Sequence, residues 1–411
     1  MAPRPPPRPP SGAAEIVYVL VRGEVADVYG GEKSSIAQAA AVGRRGFRAR
    51  FITTARDRFA EEVEAAGMEC EVVPAGDPLA GFRAAGPAGW LRRLVDLARV
   101  NAAVFRAARQ AKVVHTIAVP GFLCGFAGAR LAGRPVVFHV RSAPGGLRAN
   151  RLEQLAMLLA NRTICVSQSL RDQLVATASP ALRPLVAGRV RAIDNGFDFA
   201  ELEAAAARAA PVVRGEGQLT ALLVGGIWPR KGQLAVLEHV LPRVVDAEPR
   251  FHLTVIGGAT DAAYHRACLD AVARRGLARH VTFTGYLDRR EVFRHYLAAD
   301  LLILPSEGEG LPRCAVEAAA FGLPVVATRT VGTVDVVVPG RTGILVAPGR
   351  PEEMADAVLQ LLRDARLRAR LGALAASHVR TRFAMAATAD ATARLYRELA
   401  GGSNLAACEP G

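Results

Sequence analysis

The sequence predicts an α/β protein made of two doubly wound, Rossmann-like domains that face each other across a cleft. Strand-like apolar runs alternate with helical stretches through both halves of the chain, which is typical of parallel sheets covered by helices. At 411 residues the chain is too long for one ordinary core, so two domains are expected. An alanine-rich, charge-bearing segment at residues 201–218 interrupts the alternation and is the predicted linker.

The apolar runs predict thirteen strands, seven before the linker and six after it. The first seven lie near residues 16–21, 48–52, 70–73, 113–116, 135–140, 162–166 and 191–194. The other six lie near residues 221–224, 252–256, 281–283, 301–304, 323–327 and 343–346. The predicted domains are therefore residues 14–200 and 219–384, followed by a helix at 385–400. The proline-rich residues 1–13 and the final residues 401–411 are predicted to be disordered or loose tails.

Composition narrows the functional classes. The chain is 51% hydrophobic and 22% charged, as in soluble globular enzymes, and its longest apolar runs are shorter than the roughly 18 residues needed to cross a bilayer. The net charge of +14 reflects a preference for arginine, since only Lys33, Lys112 and Lys231 among the 52 basic residues are lysines. The basic residues are dispersed and aromatics make up only 6%, so no nucleic-acid partner is predicted. Contact with an anionic membrane surface stays open.

The cysteines and the N-terminus predict a cytoplasmic protein. The six cysteines are scattered without a metal-type CxxC pair, and they are expected to be reduced thiols: Cys70, Cys124, Cys165, Cys268, Cys314 and Cys408. The apolar run at residues 16–21 is too short for a signal peptide. Peripheral contact with the inner face of the cell membrane is the alternative location.

The most informative segment is SEGEGLPRCAVEAAAFGLPVVAT, residues 306–328, in which Glu309 and Glu317 flank a Gly-Leu-Pro turn. Pro312 predicts the first turn of a helix that ends at Gly322, so Glu309 is expected just before the helix and Glu317 inside it. The helix N-terminus favours an anion or a sugar oxygen over Gly310 and Leu311. Two solvated glutamates are the alternative interpretation. The apolar surroundings of Glu317 favour a buried carboxylate that needs partners, such as ribose hydroxyls.

Two further motifs lie where strands are predicted to end. VGGIWPRKG brings Arg230 and Lys231 to a strand-to-helix loop. The chain has only three lysines, and the presence of one of them in this loop suits a contact with phosphate. A solvated pair of cations is the alternative. Gly30 and Gly31 follow the first strand and precede a helix, where backbone can approach a ligand closely; a simple tight turn is equally consistent.

These segments, with IDNGFD, VTFTGYL and GRTGILVAPG, resemble the family 4 glycosyltransferases of GT-B fold over nearly the whole chain except its tails. The resemblance implies transfer of a hexose from a uridine or guanosine diphosphate sugar to an acceptor, with retention of anomeric configuration and without a metal or other cofactor. The chain also lacks a DxD triplet, which argues against the metal-dependent type. A lipid-linked or cell-envelope glycan is the expected acceptor.

The resemblance also implies roles for individual residues. Glu317 matches the glutamate that binds the ribose, and Glu309 matches the one that contacts the donor sugar. The catalytic residues implied are His139, Glu309, Arg230 and Lys231. In this assignment Arg230 and Lys231 neutralise the leaving diphosphate, and His139 lies near the reacting sugar. The other donor-binding positions implied are Gly30 and Gly31 at the phosphates, Gly310 and Leu311 through backbone N–H groups, and Gly285, Tyr286 and Leu287 at the nucleobase. Because Glu317 is assigned to ribose, a front-face substitution without a covalent intermediate is predicted.

One position departs from the family pattern, and several alternatives stay open. Gly226 stands where the family commonly has an arginine, and Arg230 is expected to compensate. His115, at the end of another strand, is interpreted as structural. The rival functions are a nucleotide-sugar epimerase of GT-B fold, a glycosyltransferase acting on a small natural product, and a non-catalytic basic scaffold.

Overall fold

The computed structural model describes residues 13–22, 30–77, 86–142 and 147–401. The chain divides into two compact units, the first comprising the chain up to Gly196 together with the part from Met385 onward, and the second Phe197–Ala384. Each unit is built on one parallel sheet, so the predicted α/β class with two Rossmann-like domains is confirmed. The predicted tails, at 1–12 and 402–411, and Cys408 with them, lie outside the described residues.

Every predicted strand overlaps a strand of the structure. The strands of the first unit are β1 (Ala14–Leu20), β2 (Phe47–Thr53), β3 (Glu69–Val72), β4 (Val113–Ile117), β5 (Val136–Val140), β6 (Arg162–Cys165) and β7 (Val190–Ala192). Those of the second unit are β8 (Leu219–Val224), β9 (Phe251–Ile256), β10 (Val281–Gly285), β11 (Leu301–Leu304), β12 (Val325–Thr328) and β13 (Gly343–Val346).

Helices connect the strands. Those before the second sheet are α1 (Gly30–Gly43), α2 (Arg58–Ala65), α3 (Pro87–Ala108), α4 (Ala118–Leu131), α5 (Leu147–Leu159), α6 (Gln168–Thr177), α7 (Arg183–Arg189) and α8 (Phe199–Ala207). Within and after the second sheet come α9 (Gln233–Ala235), a π-helical turn (Val236–Val240), α10 (Leu241–Ala247), α11 (Ala262–Arg274), α12 (Arg289–Ala298), α13 (Arg313–Ala320), α14 (Thr333–Val336), α15 (Pro351–Arg363), α16 (Ala365–Arg382) and α17 (Met385–Leu399). In the described part of the chain, none of these helices is both long and apolar enough to cross a membrane.

Both sheets reverse their winding direction next to their first strand. The strand order is β3-β2-β1-β4-β5-β6-β7 in the first unit and β10-β9-β8-β11-β12-β13 in the second. The reversal therefore lies between β1 and β4 in one sheet and between β8 and β11 in the other. In open α/β sheets, ligands bind outside the carboxyl ends of the strands at such a switch point.

Helix α17 completes the first unit, although it follows the second unit in the chain. It buries residues spaced by about one helical turn, among them Met385, Ala389, Ala393 and Tyr396, against the core that contains β1 and α1. The Thr388 hydroxyl also donates a hydrogen bond of 2.8 Å to a backbone carbonyl that precedes the second unit, that of Asp194. The first fold unit is therefore assembled from two separate parts of the chain.

Three details differ from the sequence predictions. The boundary between the units lies between Gly196 and Phe197, and part of the predicted linker forms α8, which belongs to the second unit. Gly30 and Gly31 are the first residues of α1 instead of preceding a helix. Pro312 occupies the N-cap of α13, so this helix begins one residue later, at Arg313.

Candidate functional site

The loops after β8 and β11 flank the switch point of the second sheet, and they contain the predicted cations and Glu309. After β8 the chain forms a short 3-10 turn, Pro229–Lys231, ended by Gly232 in a left-handed conformation with a φ of 71°. A Cβ atom at Gly232 would lie 2.5 Å from the Pro305 carbonyl oxygen. Glycine is therefore required for the two loops to pack this closely.

Lys231 and Glu309 form an ion pair at this position. The Nζ atom lies 2.6 Å from Oε1, and only 21% and 13% of the two side chains are exposed. Burial by itself lowers the pKa of Lys231, but the charge of Glu309 and the hydrogen bond to it oppose this effect, and the net pKa is raised. Lys231 is therefore a firmly protonated ammonium group next to a carboxylate.

Arg230 connects the same two loops. Its Nε donates a hydrogen bond of 3.0 Å to the Gly308 carbonyl, and its own carbonyl accepts one of 3.0 Å from the Glu307 N–H. The side chain thus lies along the loop that carries Glu309. The structure brings Arg230, Lys231 and Glu309 together, as their predicted shared site requires.

A third loop, after β12, supports the backbone of Glu309. The Glu309 N–H donates to the Val331 carbonyl at 3.2 Å. Gly332, with a φ of 80°, packs so closely that a Cβ atom there would lie 2.9 Å from the Glu309 carbonyl and 2.7 Å from that of Gly310. Gly332 was not identified from the sequence, although its place in a loop after a strand is a usable signal.

Glu317 lies in the second turn of α13 and is paired with Arg313. The distance from Arg313 Nη2 to Glu317 Oε1 is 3.1 Å, and the carboxylate side chain is 13% exposed. The Arg313 guanidinium also lies over the Phe197 ring, 4.6 Å from its centroid. Glu317 is thus a mostly buried carboxylate with a partner, as expected, and the partner in this structure is Arg313, four residues earlier in the same helix.

Cys314 lies within the electrostatic reach of both glutamates. Burial raises the pKa of its thiol to about 12; the Lys231 charge opposes this shift, and the charges of Glu309 and Glu317 add to it. Both carboxylates are therefore close enough to this thiol for their charges to raise its pKa. Gly310 and Leu311, both buried, lie between Glu309 and the start of α13.

The predicted nucleobase residues lie at the carboxyl end of β10, which is the edge strand of this sheet. Gly285 has a φ of 70°, and its carbonyl accepts a hydrogen bond of 3.0 Å from the Gly257 N–H. Tyr286 is exposed and Leu287 is half-buried. Two strands separate this position from the loop after β11, and the nucleobase role stays a prediction.

The environment of Gly226 explains the missing arginine. A Cβ atom at this position would lie 2.5 Å from Oγ1 of Thr260, so the Thr260 side chain would have to shift before an arginine could occupy the position. The Gly226 carbonyl also accepts a hydrogen bond of 2.9 Å from the Gln233 side chain. Arg230 is the arginine that this loop supplies, and its role at the phosphates stays a prediction.

The first unit contains the other predicted residues. Gly30 and Gly31 are exposed at the start of α1, and a Cβ atom at Gly31 would lie 3.5 Å from Nε of Arg141. Arg141 donates hydrogen bonds to Ser35 Oγ at 3.0 Å and to Asn195 Oδ1 at 3.2 Å. Arg141 was missed in the sequence, although it lies two residues after His139 and so on the same face of an extended chain.

His139 lies near the end of β5 and is almost fully buried. Its Nδ1 is 3.0 Å from Nε2 of His115, and burial lowers its pKa well below the ordinary value, assisted by the charges of Arg141 and His115. His115 is also buried, and its pKa falls to about 3. Both rings are therefore neutral imidazoles.

Two models of known protein families match this chain, one mainly in each unit. A family model described as Glycosyltransferase Family 4 matches residues 28–201, and one described as Glycosyl transferases group 1 matches residues 218–364. Together these two models cover most of the chain.

Curated relatives are similar over part of their length. A D-inositol 3-phosphate glycosyltransferase 2 of Catenulispora acidiphila is 33% identical over 238 residues, which are 55% of this chain and 56% of that protein. A glycogen synthase of Mycobacterium tuberculosis is 30% identical over 233 residues, which are 57% of this chain and 53% of that protein. The chain thus spans about half the length of the curated relatives it matches.

Solved structures share the fold over nearly all of the chain. The Anabaena protein HepE, in complex with UDP and glucose, superposes with a TM-score of 0.76 at 21% identity, over 94% of this chain and 100% of that one. A sucrose-phosphate synthase of Thermosynechococcus elongatus gives a TM-score of 0.73 at 22% identity, over 95% and 100%.

Proposed function

Because the chain belongs to the family 4 glycosyltransferases of GT-B fold, we propose that it transfers a hexose from a nucleotide-diphosphate sugar to a hydroxyl of an acceptor. The observation that carries this proposal is the joint placement of Arg230, Lys231 and Glu309 on two loops at the switch point of the second sheet. Cations at this point suit a diphosphate, and a carboxylate beside them suits sugar hydroxyls.

The proposed reaction is a front-face substitution that retains the anomeric configuration. The bond between the sugar's anomeric carbon and the diphosphate oxygen breaks, the acceptor oxygen bonds to the same carbon, and the acceptor's proton passes to the departing phosphate oxygen. Arg230 and Lys231 stabilise the charge that develops on the diphosphate. The raised pKa of Lys231 keeps its ammonium group charged for this task. The proposed mechanism includes no metal step.

Glu317 is proposed to bind the ribose hydroxyls. In the structure its carboxylate pairs with Arg313, which lies on the same helix and is also stacked on Phe197. A carboxylate with several acceptor positions can keep this pair while it accepts hydrogen bonds from hydroxyls. Gly285, Tyr286 and Leu287 are proposed to contact the base. UDP is favoured over GDP because a structure with the same fold contains UDP and glucose.

The acceptor is proposed to be a lipid-linked or cell-envelope glycan. The names of the relatives indicate acceptors as different as an inositol phosphate and glycogen, so the family alone does not select one. The choice rests on a surface of the first unit that suits a membrane. A small natural-product acceptor is the alternative.

That surface is the exposed side of α3. Trp90, Leu91, Leu94 and Val95 are all exposed, and their spacing places them on one side of the helix. The same helix carries arginines at positions 92, 93, 99 and 106 against a single acidic residue, Asp96; Arg99 pairs with Asp96 and Arg106 with Glu71. Apolar side chains next to arginines are typical of helices that lie on anionic lipid. We infer peripheral contact with an anionic membrane through α3.

A two-step assay tests the transfer. Thermal-shift measurements with UDP-sugars and GDP-sugars identify the donor, since a ligand at about 100 times its Kd adds about 2.7 kcal/mol of stability. The release of nucleoside diphosphate is then measured with and without glycan acceptors, and the anomeric configuration of the product is determined by NMR. Nucleotide release that needs an acceptor supports transfer. Conversion of the donor sugar without any acceptor would instead identify an epimerase.

Vesicle flotation tests the membrane contact. The wild type should float with vesicles of anionic and neutral lipid and stay below vesicles of neutral lipid alone. Leu91→Asp should abolish flotation, whereas Leu131→Asp, at a leucine of the same unit that is 78% exposed against 65% for Leu91, should not change it. Equal loss in both variants, or no flotation of the wild type, would contradict the proposal.

A further inference from the structure

The first unit contains a buried chain of four hydrogen-bonding side chains: Tyr18, Tyr396, His115 and His139. The parallel register of β1 and β4 places Tyr18 beside His115, and α17 brings Tyr396 to the same point. The Tyr396 hydroxyl donates a hydrogen bond of 3.0 Å to the Tyr18 hydroxyl. The Tyr396 oxygen also contacts Nδ1 of His115, and Nε2 of His115 is 3.0 Å from Nδ1 of His139. Each of the four residues is at most 2% exposed.

The directions of these hydrogen bonds follow from counting protons. Tyr396 has one hydroxyl proton and gives it to Tyr18, so it must accept a proton from Nδ1 of His115. A neutral imidazole has one N–H, which leaves Nε2 of His115 as an acceptor. Nδ1–H of His139 is then the donor to that nitrogen. His139 is also neutral, so its own Nε2 has a lone pair and no proton.

This last nitrogen is buried and has no hydrogen-bond partner among the described residues. A buried polar atom without a partner costs about 1–3 kcal/mol, so a hydroxyl that donated a hydrogen bond to this nitrogen would remove that cost. His139 lies near the carboxyl end of β5, and its neighbour Arg141 contacts the start of α1, where Gly31 lies. The lone pair thus belongs to a residue at the carboxyl end of the first sheet, on the strand that leads to Arg141 beside Gly31, and the family resemblance assigns both His139 and Gly31 to the donor.

We propose that Tyr18, Tyr396 and His115 are positioning residues that keep His139 in its Nδ1–H tautomer, so that Nε2 accepts a hydrogen bond from a hydroxyl of the sugar substrate. The proposal rests on the proposed function, and it gives His139 a binding task instead of an acid–base one. Among the described residues, the groups whose charge acts on His139 are Arg141 and His115, and the Arg141 cation disfavours an imidazolium.

The tautomer can be measured directly and without substrate. In full-length protein labelled with ¹⁵N, the imidazole nitrogens of protonated and unprotonated type have distinct chemical shifts, and His115→Gln and His139→Gln identify the signals among the eight histidines. In the wild type, His139 should show a protonated Nδ1 and an unprotonated Nε2. A protonated Nε2 in the wild type would overturn the proposal.

Tyr18→Phe should reverse the direction of the hydrogen bonds that link Tyr396, His115 and His139. It keeps the ring that stacks on Phe51 and His115 but removes the acceptor of the Tyr396 proton. Tyr396 should then donate to His115, whose Nε2–H donates to His139, and His139 should become protonated at Nε2. Thr392→Val is the matched control, because it removes another buried hydroxyl from α17, one that contacts Gln38 and lies outside this chain. An unchanged His139 tautomer in Tyr18→Phe would refute the proposal that Tyr18, Tyr396 and His115 set this tautomer.

The link to the sugar is tested with singly deoxygenated donor sugars. In the wild type, one deoxygenation should lower kcat/KM about tenfold, and in Tyr18→Phe the same deoxygenation should cost little, since Nε2 no longer accepts. Equal costs in both enzymes would disprove this link. If no donor supports transfer by the wild type, the proposed function fails. The tautomer measurement still decides whether Tyr18, Tyr396 and His115 set the tautomer of His139.

Discussion

Lys231 Nζ lies 2.6 Å from Glu309 Oε1, although 78 positions separate the two residues in the sequence. The pair joins the loop after β8 to the loop after β11, the two connections that flank the switch point of the second sheet. It therefore couples the cation proposed for the diphosphate to the carboxylate proposed for the sugar. A change at one residue should alter both the charge and the stability at the other.

Lys231→Ala should lower kcat about 100-fold or more, because the departing diphosphate loses a partly buried charge partner. It should also destabilise the second unit, because Glu309 is only 13% exposed and would lose its cation. The double variant Lys231→Ala, Glu309→Gln should recover stability and stay inactive. Steady-state kinetics and thermal unfolding check both parts. A double variant less stable than Lys231→Ala would contradict the assignment of the ion pair.

Glu317→Ala should raise the KM for the donor about 100-fold, because hydrogen bonds to a charged group contribute about 1.5–3 kcal/mol each. The effect on kcat should be smaller, since the ribose is distant from the bond that breaks. Glu248→Ala is the control, as it removes a glutamate that pairs with Arg250 on the surface of the same unit. Donor titrations of the three proteins give the result. A normal donor KM in Glu317→Ala would show that the ribose assignment is wrong.

Gly332→Ala should lower kcat/KM without removing any functional group. Its Cβ atom would press on the Glu309 and Gly310 carbonyls and displace the loop that carries Glu309. Gly340→Ala separates this effect from backbone strain, because Gly340 has a similar positive φ, 71°, and no atom within 4 Å of the added Cβ. Gly340→Ala should cost about 1 kcal/mol of stability through its positive φ alone. Gly332→Ala should cost more, because its Cβ also meets backbone atoms, and it alone should lose activity. Equal activities would argue against the role of this contact.

The first unit should become less stable as the pH falls from 7 to 5. Burial and the Arg141 charge lower the pKa of His115 from 6.5 to about 3, so the unfolded chain binds a proton that the folded chain excludes. The stability contributed by the neutral ring is complete above pH 6.5 and decreases below it, by about 2 kcal/mol at pH 5. His139 shifts in the same direction and adds to the loss.

Urea unfolding at several pH values measures this loss for each unit separately. The chain has two tryptophans, Trp90 in the first unit and Trp228 in the second, so Trp228→Phe leaves a fluorescent probe of the first unit alone. In that background, His115→Gln should reduce the pH dependence, and His239→Gln, at an exposed histidine of the second unit, should leave it unchanged. A pH dependence that survives His115→Gln in full would show that this ring is not its source.

Much of the candidate site could be predicted because its motifs are local. Glu309 precedes α13 and Glu317 lies within it, as the Gly-Leu-Pro turn and the apolar helix indicate. Arg230 and Lys231 lie in a strand-to-helix loop, as the position of VGGIWPRKG after an apolar run predicts. The partners of these residues were not predictable, since Arg313 looks like any helix residue and Thr260 like any loop residue.

The amino-acid sequence by itself determined the class of fold, the strand positions and the segments that bear the chemistry, because burial and turn geometry leave periodic, short-range patterns in a chain. Only the tertiary structure decided which distant side chains meet. His115 contacts Tyr396 across 281 positions because α17 returns to the first unit, and this contact assigns the proton on His139. No local pattern records such a contact, since hydrogen-bond partners from separate segments are chosen by packing.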